Sequence, residues 1–140
     1  MQEMRYQSQI PFGVDSDTRI LWGTMQVWYC VTAKFTDASV RDEYLAWLGG
    51  GHMAAVVQGG ALSARAVVLE GPELRVATQY FFADSQAFER YVREFAPALR
   101  ADGAARFPAQ RGVIFERLLG DVALSELAGD AGRHSPNKHH

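Results

Sequence analysis

The chain has 140 residues, 48% of them hydrophobic and 21% charged, and 14 Lys and Arg against 16 Asp and Glu give a net charge of −2. That length and composition suit one domain burying its own core without disulfides. The balanced charge excludes the basic field that draws proteins to nucleic acid or anionic membranes, and with no run of membrane-span length and no signal-peptide core the expected location is the cytoplasm.

Residues 1–23 are mixed polar sequence with Pro11, Gly13 and an Asp15-Ser16-Asp17 cluster, and read as an N-terminal extension. A first strand is predicted over 24–35, where Met25, Val27, Tyr29, Val31 and Phe35 alternate with Trp28 and Cys30. Apolar character on both faces marks a central strand. Cys30, the single cysteine, is read there as a small packing hydrophobe, and one cysteine excludes an internal disulfide.

Asp37 or Ser39 can cap a helix whose inner stripe is Val40, Tyr44, Trp47 and Leu48. Three glycines, Gly49 to Gly51, cost about 1 kcal/mol each relative to alanine in a helix, so it should stop, kink or fray there. His52, Met53, Val56 and Val57 then suit a short continuation. After Gly59 and Gly60, SARAVVLE and ELRVATQYFF form a predicted antiparallel hairpin turned at Gly71-Pro72.

Asp84 or Ser85 caps the second helix, with Phe88, Tyr91, Val92, Phe95 and Leu99 on one stripe. Pro97 should bend it near its end, and Gly103 suits a left-handed terminus. The last strand, 112–119, carries Val113 and Phe115 on one side and Ile114 and Leu118 on the other, and is expected to be covered on both. Residues 120–140 read as a mostly flexible tail, with a short helix expected at 122–127.

Over 24–119 the order is βαββαβ, the split βαβ or ferredoxin-like arrangement. The expected fold is α+β: a four-stranded antiparallel sheet with two helices on one face. An apolar second sheet face needs a partner or a ligand to cover it, so a homodimer through that face is expected.

No Walker loop, dinucleotide-binding glycine fingerprint, HExxH or paired CxxC occurs, and neither a metal nor a cofactor is called for. His52 is the one histidine inside the predicted folded body. Its ordinary pKa lies near neutrality, so it can act as general base or acid; the competing reading is a capping or surface histidine. Its candidate catalytic partners are Tyr80 and Arg65, which could stabilise developing oxyanion charge. Candidate ligand-binding residues are Trp28, Tyr29 and Gln79, polar or aromatic groups on the strands, with Arg106 and Phe107 in the loop before the last strand. Each has a plainer role open to it: tyrosines pack, arginines pair with Glu70, Glu73 or Glu116, and the aromatic set serves core or dimer interface.

Glu43 to Leu48 with His52 close behind, Gln79 to Phe82, and Ala96 to Phe107 together resemble an uncharacterised bacterial branch of the dimeric α/β-barrel superfamily. The resemblance covers about 25–119. It implies a homodimer paired sheet to sheet, with pockets between each sheet and its own helices or near the barrel ends. The superfamily includes cofactor-free monooxygenases of polyketide-like aromatics, isomerases, cyclases, haem-degrading enzymes and stress-responsive binding proteins. Several use a histidine near the end of the first helix, which places His52 first among the candidates. Two readings of function follow: binding of a small apolar or aromatic metabolite, with cofactor-free oxygenation, isomerisation or cyclisation as the chemistry, or a non-catalytic ligand-sensing or interaction module. Haem binding is a third, for which His52 is the only internal axial ligand.

Overall fold

The computed structural model describes residues 25–129. The predicted extension at 1–23 and the tail beyond 129 lie outside the described residues.

Four nine-residue strands form one antiparallel sheet: β1 (Val27–Phe35), β2 (Ala61–Leu69), β3 (Leu74–Phe82) and β4 (Val113–Asp121), in the order β2-β3-β1-β4. Each half of the chain crosses between strands through helix: α1 (Ala38–Trp47), a π-helical turn (Leu48–His52) and α2 (Met53–Gln58) in the first half, α3 (Ser85–Glu94) and α4 (Ala96–Arg106) in the second. This is the ferredoxin-like α+β fold expected from the element order. β1 is internal, as its two-sided apolar pattern requires.

Register fixes what each face carries. Tyr29 pairs with Tyr80 on β3 and Leu119 on β4, and Val31 with Thr78 and Arg117. Because strand side chains alternate, the odd positions of β1 and their partners all face the helices, while Trp28, Cys30, Thr32 and Lys34 face outward. The helix-facing side divides into two buried clusters, one around Val27, Tyr29, Tyr80, Phe82, Phe88 and Tyr91, the other around Phe35, Tyr44, Leu48, Val76, Phe107 and Val113. Met53 packs against both.

Local sequence explains the ends. Asp37 caps α1 through a 2.8 Å bond accepted from the Ser39 amide, and Asp84 caps α3 through a 2.9 Å bond from the Ala87 amide. Gly112, at φ 79°, closes the turn into β4 where a Cβ would meet Thr36 Oγ1 at 2.0 Å. At the far end of the sheet, Val27 lies opposite Asp121, and the Val122 amide donates to the Gln26 carbonyl at 2.8 Å.

Several expectations are revised. The chain does not bend within one helix at Pro97: α3 ends at Glu94, Phe95 breaks the run, and Pro97 sits in the first turn of α4, where a missing amide costs no helical bond. Residues 122–127 carry no regular structure, so the expected short helix there is absent. β1 begins at Val27 and β4 runs on to Asp121. β4 is an edge strand, and on this chain its outer residues Ile114 and Leu118 are 62% and 44% exposed rather than covered.

Candidate functional site

Where the two core clusters meet, a partly open cavity of about 40 Å³ separates the sheet from the helices. Tyr29, Val31, Tyr80 and Phe115 form its floor, all on the helix-facing side of three adjacent strands. Trp47 and His52 close one wall; Tyr91, Leu99, Arg100 and Gly103, from α3 and α4, close the other.

His52 reaches this position because of the glycine run. Gly51 has φ 146°, a conformation that glycine alone adopts freely, and the π-helical turn it belongs to carries the chain from α1 into α2. The imidazole then lies flat on the Trp47 indole, ring centroids 4.0 Å apart and planes 22° apart. Burial pushes the His52 pKa down to about 4, against the opposing pull of the Asp102 carboxylate, so the ring is neutral at ordinary pH. Trp47 is itself fixed: its Nε1 donates to Asp102 Oδ2 at 3.2 Å, and Gly103 admits the indole so closely that a Cβ there would stand 3.2 Å from its edge. Hydrogen bonding to Arg106, with a smaller contribution from Trp47, holds the Asp102 carboxyl below its usual range.

The floor is a set of phenols. Tyr29 and Tyr80 stand side by side with ring centroids 6.0 Å apart, and Tyr29 also packs on Phe88 at 5.3 Å. Burial raises the pKa values of Tyr80 and Tyr91, so both stay protonated and act as neutral donors. Tyr29 Oη accepts two hydrogen bonds, from Arg100 Nη2 and from Arg117 Nε, each at 3.1 Å. Among the described residues no Asp or Glu lines the cavity, and no group of three His, Cys, Asp or Glu side chains could hold a metal ion.

Of the residues singled out in the sequence, His52, Tyr80 and Tyr29 come together here. Arg65 does not: it pairs with Gln79, which pairs with Cys30, and that register row faces away from the helices. Trp28 and Gln79 share this outer face with Arg65, on the far side of the sheet from His52. Arg106 is exposed at the end of α4, where its Nε donates to Asp102 at 2.9 Å. Phe107 is buried against Tyr44 and Trp47, centroids 5.2 and 5.4 Å away, one layer behind the cavity wall.

Trp47, Tyr91, Arg100 and Arg117 belong to the site and were not singled out for function. The first two read correctly as apolar stripe residues, which hides a second role. Arg117 left a sharper signal: it lies two positions from Phe115 and four from Val113, a charge in the register that faces the core. Such a residue is either paired or functional.

Solved structures share this architecture at low identity. A dimeric ferredoxin-like protein from an uncultured marine organism is 18% identical, covering 73% of this chain and 99% of its own, with a TM-score of 0.55. The ActVA-Orf6 monooxygenase of Streptomyces coelicolor, solved with nanaomycin D, is 14% identical over 74% of this chain and 93% of its own, TM-score 0.58. SnoaB, a cofactor-independent oxygenase from Streptomyces nogalater, is 13% identical over 74% of this chain and 98% of its own, TM-score 0.53. These likenesses establish the fold. No curated protein matches the sequence. Residues 26–122 match the family described as a domain of unknown function, DUF4286, and the chain belongs to that family.

Proposed function

We propose that this protein is a homodimer, paired through the outer sheet face, whose cavity binds a small aromatic metabolite and catalyses cofactor-independent oxygenation or a related proton-transfer reaction. The observation that carries this reading is the neutral His52, held against Trp47 over a cavity lined by three phenols. A neutral imidazole has its lone pair free to take a proton, though its low pKa makes it a weak base, and the phenols facing it could receive the negative charge that proton removal creates. Apolar walls from Val31, Leu99 and Phe115 suit a ring system. Structural neighbours that are dimeric, and others that are oxygenases, support the same reading by fold alone.

On a substrate such as anthrone, His52 would take one hydrogen of the ring methylene as a proton and leave an enolate. Reaction with dioxygen then converts the methylene to a carbonyl: two C–H bonds break, one oxygen atom stays on carbon and the other leaves as water with both hydrogens. At about 40 Å³ the cavity as it stands holds roughly three waters and no ring. A ring therefore enters only when the cavity widens.

The test is anthrone turnover, followed by dioxygen uptake and anthraquinone absorbance, beside a tryptophan-fluorescence binding titration. The expected result is one dioxygen per anthraquinone and a fall of about a hundredfold or more in rate for His52→Ala with binding retained. Binding without turnover in the natural protein favours the non-catalytic ligand-sensing module. No binding refutes the pocket.

A further inference from the structure

Tyr29 is held in a way that neither packing nor a generic aromatic pocket requires. Its hydroxyl oxygen accepts from two guanidinium groups, Arg100 from α4 and Arg117 from β4, both at 3.1 Å. A phenol oxygen has one hydrogen of its own to give. With two cationic donors occupying the acceptor side, that hydrogen is directed elsewhere, and among the described residues no protein group accepts it. Tyr29 and Arg100 both line the cavity, so the hydroxyl can turn its hydrogen toward that space.

The rest of the lining has the same polarity. Tyr80 and Tyr91 offer phenolic hydrogens, the Arg100 guanidinium lies in the wall, and among the described residues no carboxylate lines the space. Burial raises the pKa values of both Tyr80 and Tyr91, which keeps them donors. The one lining nitrogen base is His52, whose neutral imidazole lies on the opposite wall. Arg117 makes no ion pair among the described residues; its side chain bonds to the Tyr29 oxygen. A guanidinium bonded to a phenol rather than to a carboxylate passes its polarisation through the O–H bond, since hydrogen bonds in series strengthen one another in a low-dielectric site.

We propose that Tyr29, gripped by Arg100 and Arg117, is the oxyanion donor of the cavity, and that the ligand is an aromatic molecule bound through an ionised oxygen, a phenolate or enolate. This rests on the pocket reading above and adds to it the charge state of the ligand and the residue that selects it. It also moves the oxyanion role from Arg65, on the other side of the sheet, to a residue in contact with the cavity. Arg117 is then a positioning residue acting through Tyr29, and Tyr29 is the catalytic one.

The experiment uses two probes of similar size, p-nitrophenol and nitrobenzene, titrated into the full-length protein at the pH where half of free p-nitrophenol is ionised. The visible absorbance of the phenolate reports which form is bound, and tryptophan fluorescence reports total binding. The expected result is that the phenolate binds about tenfold to a hundredfold more tightly than the neutral phenol, the size of a charge-assisted hydrogen bond. Tyr29→Phe and Arg117→Met should each remove at least about tenfold of this preference while their far-UV spectra and urea midpoints match the natural protein, which shows that the variants are folded. Arg117→Lys should restore part of it. Equal binding of the two protonation states, or a preference untouched by Tyr29→Phe, overturns the inference and leaves the pocket reading standing. Failure of the natural protein to bind either probe overturns both.

Discussion

His52 shows how a single environment changes what a residue can do. Free histidine titrates near neutrality, but burial beside Trp47 pushes its pKa down to about 4. The unfolded chain therefore binds more protons at this site than the folded one between about pH 6.5 and 4. Stability contributed by the neutral ring is fully present above pH 6.5 and is lost as the pH falls through that window. The partly exposed ring softens the effect to about 1–2 kcal/mol, after allowance for solvent screening. Urea denaturation at pH 7.5 and pH 4.5 should show the natural protein losing this much more stability than His52→Gln. Parallel losses in the two proteins would contradict the buried neutral ring. For turnover, the limb belonging to His52 as a base should appear near pH 4 in kcat/KM of the free enzyme. The identity of this residue was legible in the sequence because only one histidine falls inside the folded body. Its stacking on Trp47 was not, since both residues lie on a segment whose path depends on how three glycines turn.

At the scale of the element, that glycine joint is the most informative piece of the chain. Gly49 and Gly50 are exposed, and a Cβ at either would meet nothing within 4 Å. Packing does not require them, and only Gly51 needs its positive φ. What two further glycines contribute is backbone freedom in the link that carries His52 and adjoins Trp47. Gly50→Ala should therefore stabilise the fold by about 0.5–1 kcal/mol in urea denaturation and slow ligand entry in stopped-flow fluorescence. A loss of stability would mean that the π-helical turn depends on this glycine for its shape. Periodicity made α1, α3 and the strands readable, because their apolar positions recur at regular spacing. The break at Phe95 was misplaced onto Pro97, because a proline two residues into a new helix looks in sequence like one near the end of an old one. Arg100 was passed over for the same reason: its place against Tyr29 depends on a helix start that spacing alone did not reveal.

For the whole molecule, the helices cover one side of the sheet and leave the other to be completed. Ile114 and Leu118 stand out from the edge strand β4, 62% and 44% exposed, with Trp28 and Phe81 paired across β1 and β3 on the same face. A second copy offers a face of the same kind, and sheet faces pack about 10 Å apart when their side chains interdigitate. If the protein pairs through this face as proposed, replacing Ile114 and Leu118 together by Glu should yield a monomer in native mass spectrometry while the far-UV spectrum is retained. A natural protein that is already monomeric would refute pairing through this face. The apolar outer face was legible from strand alternation. The cavity was not, because it forms between two clusters that are each continuous in space but drawn from distant parts of the chain.

The bond from the Val122 amide to the Gln26 carbonyl closes the ladder between the first and last strands, leaving the two ends of the described domain side by side. The exposed Gly71 turn lies at the opposite end of the sheet, beyond the Phe35 and Leu74 pair. The order in which the elements are strung is thus separable from the way they pack. A short linker from Val122 to Gln26, with the chain opened at Gly71, would give a circular permutant with the same sheet, and β3, which carries Tyr80, would become its first strand.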